Sequence, residues 1–320
     1  MRLPEAVERR LAHLAAEADA QTLLGGAKAL SARYRASEKR GDGQSLLGGQ
    51  EEVLSYALSR LPACYAAVCR ALTIAGEGME LRQIGSVLDL GAGPGTASLA
   101  ALSLCGPKEV TLIERDAKMA SLAVSLLHEA APALQPNLLL GEMGELPLPE
   151  SDLILAAYCL LELDGQKADE MVEKMARSAK KLLLIVEPGT PEGHARLMRW
   201  KKIALRCGGS LLAPCPRGAE PCPLENDWCA FAARVERSAL HRRLKGGSLP
   251  YEDEKFGFIA IAKGAFERPV ARIRRHPLKQ KGFVELALCR AGLTESLRVP
   301  KSAGEAYRAA RKAEQGDAWE

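Results

Sequence analysis

Aromatic residues make up only 4% of this 320-residue chain, so its core has to be built from Leu, Ala, Val and Ile, and rings for stacking on bases are scarce. No run of about 18 consecutive apolar residues occurs, which argues against a membrane-spanning helix. The N-terminal stretch MRLPEAVERRLAHLAAEADA is charged throughout and lacks the apolar segment of a secretory signal, so a cytoplasmic location is expected. Nine cysteines in such a chain argue against a disulfide framework and for reduced thiols, available for burial or for metal. The formal charge of +4 is mild and singles out no partner until the charges are located. What is present is enough apolar mass to fold, 47% of residues, in a chain longer than one domain core usually needs.

Three regions follow from the pattern. Residues 1–83 read as an N-terminal helical region: Val7, Leu11, Leu14 and Ala18 recur at helical spacing. GDGQSLLGG reads as a loop, and EEVLSYALSRLPACYAAVCRAL as renewed helix in which Pro62 marks a break or a new first turn. Cys64 and Cys69 there read as small core residues. Residues 84–206 alternate strand and helix, through SVLDL, EVTLIERD, PNLLLGEM, SDLILAAYCLLEL and KKLLLIVEPGTP. Parallel strands need helical crossovers, so the fold class is α/β with a Rossmann-like core. Residues 207–320 read as a small β-rich module that carries a cysteine loop and a basic stretch, the strand signals being FGFIAIAK, PVARIRRHP, FVELALC and LTESLRVP.

The turn Gly91–Gly95, GAGPG, is where a cofactor should sit, because glycines permit a tight turn and close backbone approach at a helix N-terminus beyond the strand ends. Asp89 lies just before it. Glu114 ends the second strand, where an acid accepts hydrogen bonds from ribose hydroxyls. Gly91, Gly93 and Gly95 with Ala97 leave a nicotinamide dinucleotide possible. Cys159 on the fourth strand reads as a buried strand cysteine, and Glu187, closing the fifth, as a candidate for substrate or cofactor contact or as a capping residue.

A second signature is APCPRGAEPCPLENDWC. Cys215, Cys222 and Cys229 are spaced seven positions apart, which is not the C-x-x-C of common zinc sites. Thiolates spread along a loop suit a larger cluster, and a proline follows a ligand cysteine in bacterial ferredoxin runs. A fourth ligand would be Cys289 or Cys207. Basic residues follow the loop: Arg242, Arg243 and Lys245, then Arg272, Arg274, Arg275 and Lys279, with few acids among the latter. Such a local excess points to phosphate contacts, the plain alternative being a solvated basic face. With Phe256, Phe258 and Phe283 the available rings, duplex or backbone recognition is favoured over single-strand stacking. YEDEKF reads as an acidic turn entering a strand.

VLDLGAGPG followed by LIERD resembles the cofactor motifs of class I S-adenosylmethionine-dependent methyltransferases. That resemblance implies that Gly91, Gly93 and Gly95 line the methionine and ribose portion and that Glu114 holds the ribose hydroxyls. It further implies that Asp89 supports the turn and that Glu142 and Tyr158 lie near the adenine and the methyl donor. The fourth strand departs from the Asn/Asp-Pro-Pro-Tyr pattern of amino-methylating relatives, reading Ala156-Ala157-Tyr158-Cys159, so no catalytic base is visible. From LSARYRA through GAGPG, VEPGTP, the cysteine loop, YEDEKF and RRHPLKQKGFVELALC, the chain is similar to methyltransferase-like proteins associated with small ribosomal subunit assembly, known in mitochondria and with bacterial relatives. The resemblance implies a [4Fe–4S] cluster on Cys215, Cys222, Cys229 and Cys289, with zinc as the alternative, and rRNA as partner. Arg217 stands where the resemblance leads one to expect histidine. Two functions remain open on the sequence: an rRNA methyltransferase, or an assembly factor that binds the cofactor without chemistry; in either case a monomer is expected.

Overall fold

The computed structural model describes residues 1–35, 49–217, 221–224 and 226–320; the loop expected at 41–49 lies outside the described residues apart from Gly49. Helices α1 (Glu5–Glu17), α2 (Ala20–Arg35) and α3 (Gln50–Ala75) open the chain. Val7 and Leu11 of α1 are buried as their spacing requires, with Leu14 and Ala18 packed against the same core. The α3 helix does not break at Pro62 but runs through it for 26 residues. An interior proline costs about 3 kcal/mol, and burial along most of the helix, Leu58, Leu61, Tyr65 and Leu72 included, offsets that.

Strand and helix then alternate: β1 (Ser86–Leu90), α4 (Thr96–Leu104), β2 (Glu109–Glu114), α5 (Ala117–Ala130), β3 (Asn137–Leu140), β4 (Ser151–Ala157), α6 (Gly165–Ser178), β5 (Ala179–Pro188), α7 (Pro191–Arg206) and β6 (Ser210–Ala213). The cysteine loop leads into β7 (Phe231–Glu236), α8 (Ala239–Lys245) and β8 (Tyr251–Ala262). These strands form one sheet in the order β3-β2-β1-β4-β5-β8-β6, with β7 paired to the first half of β8. From β3 to β5 all neighbours are parallel, and β8 enters antiparallel between β5 and β6. The order reverses beside β1, so the crevice at the carboxyl ends of β1 and β4 is the topological switch point where ligands bind in such sheets.

Two expectations change here. Residues 207–262 do not belong to a separate module, because β6, β7 and β8 complete the main sheet; the separate β structure begins near residue 271. YEDEKF is not an acidic turn but the first half of β8. Its carboxylates are held by cations from distant segments: Arg237 and Lys245 on Glu252, Arg234 on Asp253, Arg60 on Glu254.

The second sheet contains β9 (Ala271–Ile273), β10 (Leu278–Gln280), β11 (Phe283–Arg290), β12 (Leu293–Pro300) and β13 (Ala318–Trp319), with α9 (Glu305–Lys312) before the last strand. Strand β11 pairs with β10, β9 and β12. Its alternate residues Val284, Leu286 and Leu288 are buried with Ala310 of α9 in a core of their own, the period-two pattern of a strand covered on one face.

Candidate functional site

The turn after β1 is shaped by its glycines. Gly91, Gly93 and Gly95 all have positive φ, at 58°, 53° and 80°. A Cβ at Gly91 would lie 2.5 Å from Cys159 Cβ, whereas one at Gly93 would meet nothing within 4 Å. Gly91 is therefore required by packing, and Gly93 faces open space at the N-terminus of α4, room that a cofactor could fill. Asp89 is 1% exposed and its Oδ2 accepts from Ser98 N (2.9 Å) and Ser98 Oγ (2.7 Å), fixing the first turn of α4. Burial pushes its carboxyl up to about 7. Asp89 thus positions the turn from behind rather than facing the crevice.

Glu114 lies at the end of β2 facing the turn. Its Oε2 accepts from Gly93 N (2.8 Å), and its Oε1 from Arg115 N and Asp116 N (2.9 Å each). Burial raises its pKa, with the three N–H groups opposing that. A carboxylate has about four acceptor positions, so Oε2 retains one for a hydroxyl. Arg115 spans Glu142 and Glu162, 3.4 Å from each, which places Glu142 on the same carboxyl edge. Met143, not picked out from the sequence, lies against the Gly91 turn. Cys159 is buried, as read, and donates from Sγ to Leu90 O.

Tyr158 directly follows β4 with φ 60°, a conformation rare for a residue with a Cβ and one that clusters at functional sites. Its hydroxyl is buried without a hydrogen-bond partner among the described residues, in the electrostatic neighbourhood of Glu254, Cys64, Arg60 and Glu187. Glu187 is fully buried at the end of β5. Arg196 holds its Oε2 (2.6 Å), while Oε1 has no hydrogen-bond partner among the described residues, and burial pushes its carboxyl up to about 7 against the pull of Arg196. The Arg60–Glu254 and Arg196–Glu187 pairs were missed in sequence because each joins segments whose contact only the fold reveals.

The four cysteines come together. Cys215, Cys222 and Cys229 of the loop and Cys289 of β11 line one pocket with His194 and Arg274, so three thiols come from the main sheet's loop and the fourth from the second sheet. Cys207 caps the end of α7 and is not among the residues that line this pocket, whereas Cys289 is. Burial, then the nearness of Cys215, Cys289 and Cys222, pushes the Cys229 thiol up. A central cation would reverse that balance, since coordination deprotonates thiols. Among the described residues no group of three or more His, Cys, Asp or Glu is arranged to hold a metal ion, although the four cysteines line one pocket. His194 Nδ1 accepts from Cys229 N (3.4 Å), so a histidine does border the pocket, although it comes from α7 and not from position 217.

The basic residues divide. Arg272 is no phosphate contact: it is 2% exposed, and it donates to Pro214 O (3.0 Å), Gly316 O (2.9 Å) and Glu77. Arg274 and Arg275 both bind Asp227. Burial alone would raise the Asp227 carboxyl, but these two arginines hold it at about 2. Lys245 is tied to Glu252 (2.7 Å). Arg243 and Lys279 are exposed and Arg242 is half-buried. Phe256 and Phe258 are buried with Phe231, leaving Phe283 as the ring of the three that reaches the surface region.

A parallel sheet with one antiparallel strand near its edge, a glycine turn at its switch point and an acid closing β2 define a methyltransferase-like protein. The chain belongs to the family described as mitochondrial small ribosomal subunit Rsm22, whose profile matches residues 50–320. It is 31% identical over 257 residues to the human ribosome assembly protein METTL17, mitochondrial, covering 74% of this chain and 55% of that protein; the chain thus spans about half the length of this curated relative. Among solved structures, magnesium protoporphyrin IX methyltransferase from Synechocystis with bound SAM is 15% identical over 73% of this chain and 91% of that one, with a TM-score of 0.41. Precorrin-6y C5,15-methyltransferase from Geobacter metallireducens is 15% identical over 71% and 96%, with a TM-score of 0.40. No helix among the described residues is long and apolar enough to cross a membrane.

Proposed function

We propose that this protein is an S-adenosylmethionine-binding, methyltransferase-like factor that acts on the small ribosomal subunit through its rRNA, and that Cys215, Cys222, Cys229 and Cys289 hold a [4Fe–4S] cluster. The observation that carries the reading is the single pocket gathering these four thiols, within a chain of a small-subunit family. Four cysteines are the ligand number of a [4Fe–4S] cluster and equally of a tetrahedral zinc, which is the alternative occupant of the same pocket. The donor set fits: four cysteines, partly enclosed, with Arg274 as a neighbouring positive charge that favours thiolates over thiols.

At the glycine turn, Gly91, Gly93 and Gly95 with Glu114 form the cofactor cradle, Asp89 holds α4 in place, and Glu142 and Tyr158 border the crevice. When bound, S-adenosylmethionine would supply an electrophilic methyl group. The β4 end offers neither Asn nor Asp, and the Tyr158 hydroxyl is enclosed. That favours a second reading within the first, in which the protein assists assembly and binds the cofactor without transferring its methyl. The human relative is named as mitochondrial; this chain works in whichever compartment assembles its small subunit.

The test is sedimentation of the purified full chain with small ribosomal subunits from its own source, with methyl-labelled S-adenosylmethionine present. Co-migration without label in the rRNA supports the assembly reading; label in the rRNA supports the enzyme; no co-migration refutes both.

A further inference from the structure

The two faces of β11 have different fates. Val284, Leu286 and Leu288 are covered by α9, while Phe283, Glu285, Ala287 and Cys289 alternate on the other face and none of these four is fully buried. Cys289 is at one end of that row, against the main sheet's cysteine loop. Phe283 is at the opposite end, six residues away, or about 20 Å at the usual rise of a strand, and is half-buried.

At that end Arg298 lies diagonally across the ladder, since Phe283 pairs with Pro300 and Arg298 with Glu285. Its guanidinium carbon sits 3.7 Å from the centre of the Phe283 ring, the distance of a stacked plane. The guanidinium lies over the ring, and Arg298 is exposed. Glu285 opposes Arg298 but accepts from Ser296 Oγ (2.8 Å). The same end carries Lys279, Lys281 and Lys301, all exposed. Lys301 N bonds Gly282 O at 2.7 Å, which draws Lys301 and Lys281 to the two sides of one turn. Among the described residues none of these three lysines, nor Arg298, has a carboxylate partner. Arg272, Arg274 and Arg275 behave differently, being held by internal acids and carbonyls. An unpaired cationic rim around a ring and a guanidinium plane suits a partner that is both polyanionic and flat. Nucleic acid has both properties, and an acidic peptide has only the first.

We propose that this end of the second sheet is a single-stranded RNA site, in which a base stacks on the open face of the Arg298 guanidinium, backed by Phe283, while Lys279, Lys281 and Lys301 meet the flanking phosphates. Unstacked bases can use a guanidinium plane in this way, whereas duplex RNA keeps its bases stacked inside. The proposal rests on the ribosomal reading for its choice of RNA, and it replaces the expectation of duplex recognition for this surface.

The experiment is fluorescence anisotropy of the full chain with a labelled oligouridine of about twelve nucleotides and a labelled duplex of about 16 base pairs, from about 50 to about 200 mM salt. The single strand should bind more tightly than the duplex. Arg298→Lys, an exposed change that keeps the charge and removes the plane, should weaken single-strand binding about fivefold or more with the salt slope unchanged, and Phe283→Leu should do the same. Lys281→Glu with Lys301→Glu should flatten the slope by about 1.4, two phosphate contacts at about 0.7 each. Arg298→Lys binding as tightly as wild type, a preference for the duplex, or displacement of RNA by polyglutamate as readily as by unlabelled oligouridine would each overturn the proposal. Co-sedimentation with small subunits separates the two claims. A wild-type chain that does not co-migrate refutes the ribosomal reading, whereas a wild type that co-migrates while Arg298→Lys leaves oligouridine binding unchanged refutes this surface alone.

Discussion

Arg272→Ala is the perturbation whose cost can be worked most fully from the structure. The Arg272 side chain is enclosed where four segments meet: the end of α3 at Glu77, the start of the cysteine loop at Pro214, β9 itself, and the C-terminal tail at Gly316. Truncation strips two carbonyls of a charged donor, interactions worth about 1.5–3 kcal/mol each. Glu77 is about one-third exposed, so water takes over much of its loss and its share is small. The sum is about 3–6 kcal/mol, close to the about 3–5 kcal/mol found when one partner of a buried ionic group is removed. At about 2–4 °C per kcal/mol for domains of 150–250 residues, the midpoint of thermal unfolding should fall by on the order of 6–24 °C. Lys279→Ala, at an exposed position, should stay within about 0.5 kcal/mol of wild type. The assay is thermal and urea unfolding followed by circular dichroism. A loss under about 1 kcal/mol for Arg272→Ala would refute the claim that this arginine is structural and would return it to the surface.

Further outcomes follow from the glycine turn and its acids. Gly91→Ala must push against Cys159 and hold a positive φ, so it should lose stability by about 1–2 kcal/mol from the backbone alone and more from the clash. Gly93→Ala has free space, so calorimetry should show S-adenosylmethionine affinity falling by a larger factor than its melting point implies. Glu114→Ala should abolish detectable binding of that ligand, and unchanged binding would place the cofactor elsewhere. Asp89 has a folded pKa of about 7 against an ordinary 3.8, so the native state holds the proton over that window and stability should decline as pH rises through it. Urea titrations of Asp89→Asn should show a flatter decline between those values, and an equally steep one would contradict the assignment.

Much of the α/β core was legible because its signals are local. SVLDL, EVTLIE and the β5 run are apolar strands bounded by turn chemistry, and GAGPG marks its own turn. The placement of β8 was not legible, because nothing local says that FGFIAIA inserts antiparallel between β5 and β6. YEDEK looked like a solvated turn because the cations that hold it, Arg60, Arg234, Arg237 and Lys245, arrive from α3, β7, the connection after β7 and α8. The basic run misled for the same reason in reverse. Arg272, Arg274 and Arg275 lack acids nearby in sequence, yet Asp227, Glu77 and two backbone carbonyls reach them from segments over 40 residues away. In the cysteine set, Cys215, Cys222 and Cys229 were visible as a spacing. The choice of Cys289 over Cys207 needed the fold, since it depends on which face of β11 meets the loop.

The most direct test of the central claim is to purify the full chain anaerobically, with Cys289→Ser and Cys207→Ser prepared alongside, and to measure iron, sulfide and zinc per chain. The account predicts about four irons and four sulfides in wild type and in Cys207→Ser, and loss of both in Cys289→Ser. About one zinc without iron, or a cluster that survives in Cys289→Ser and disappears in Cys207→Ser, would contradict it.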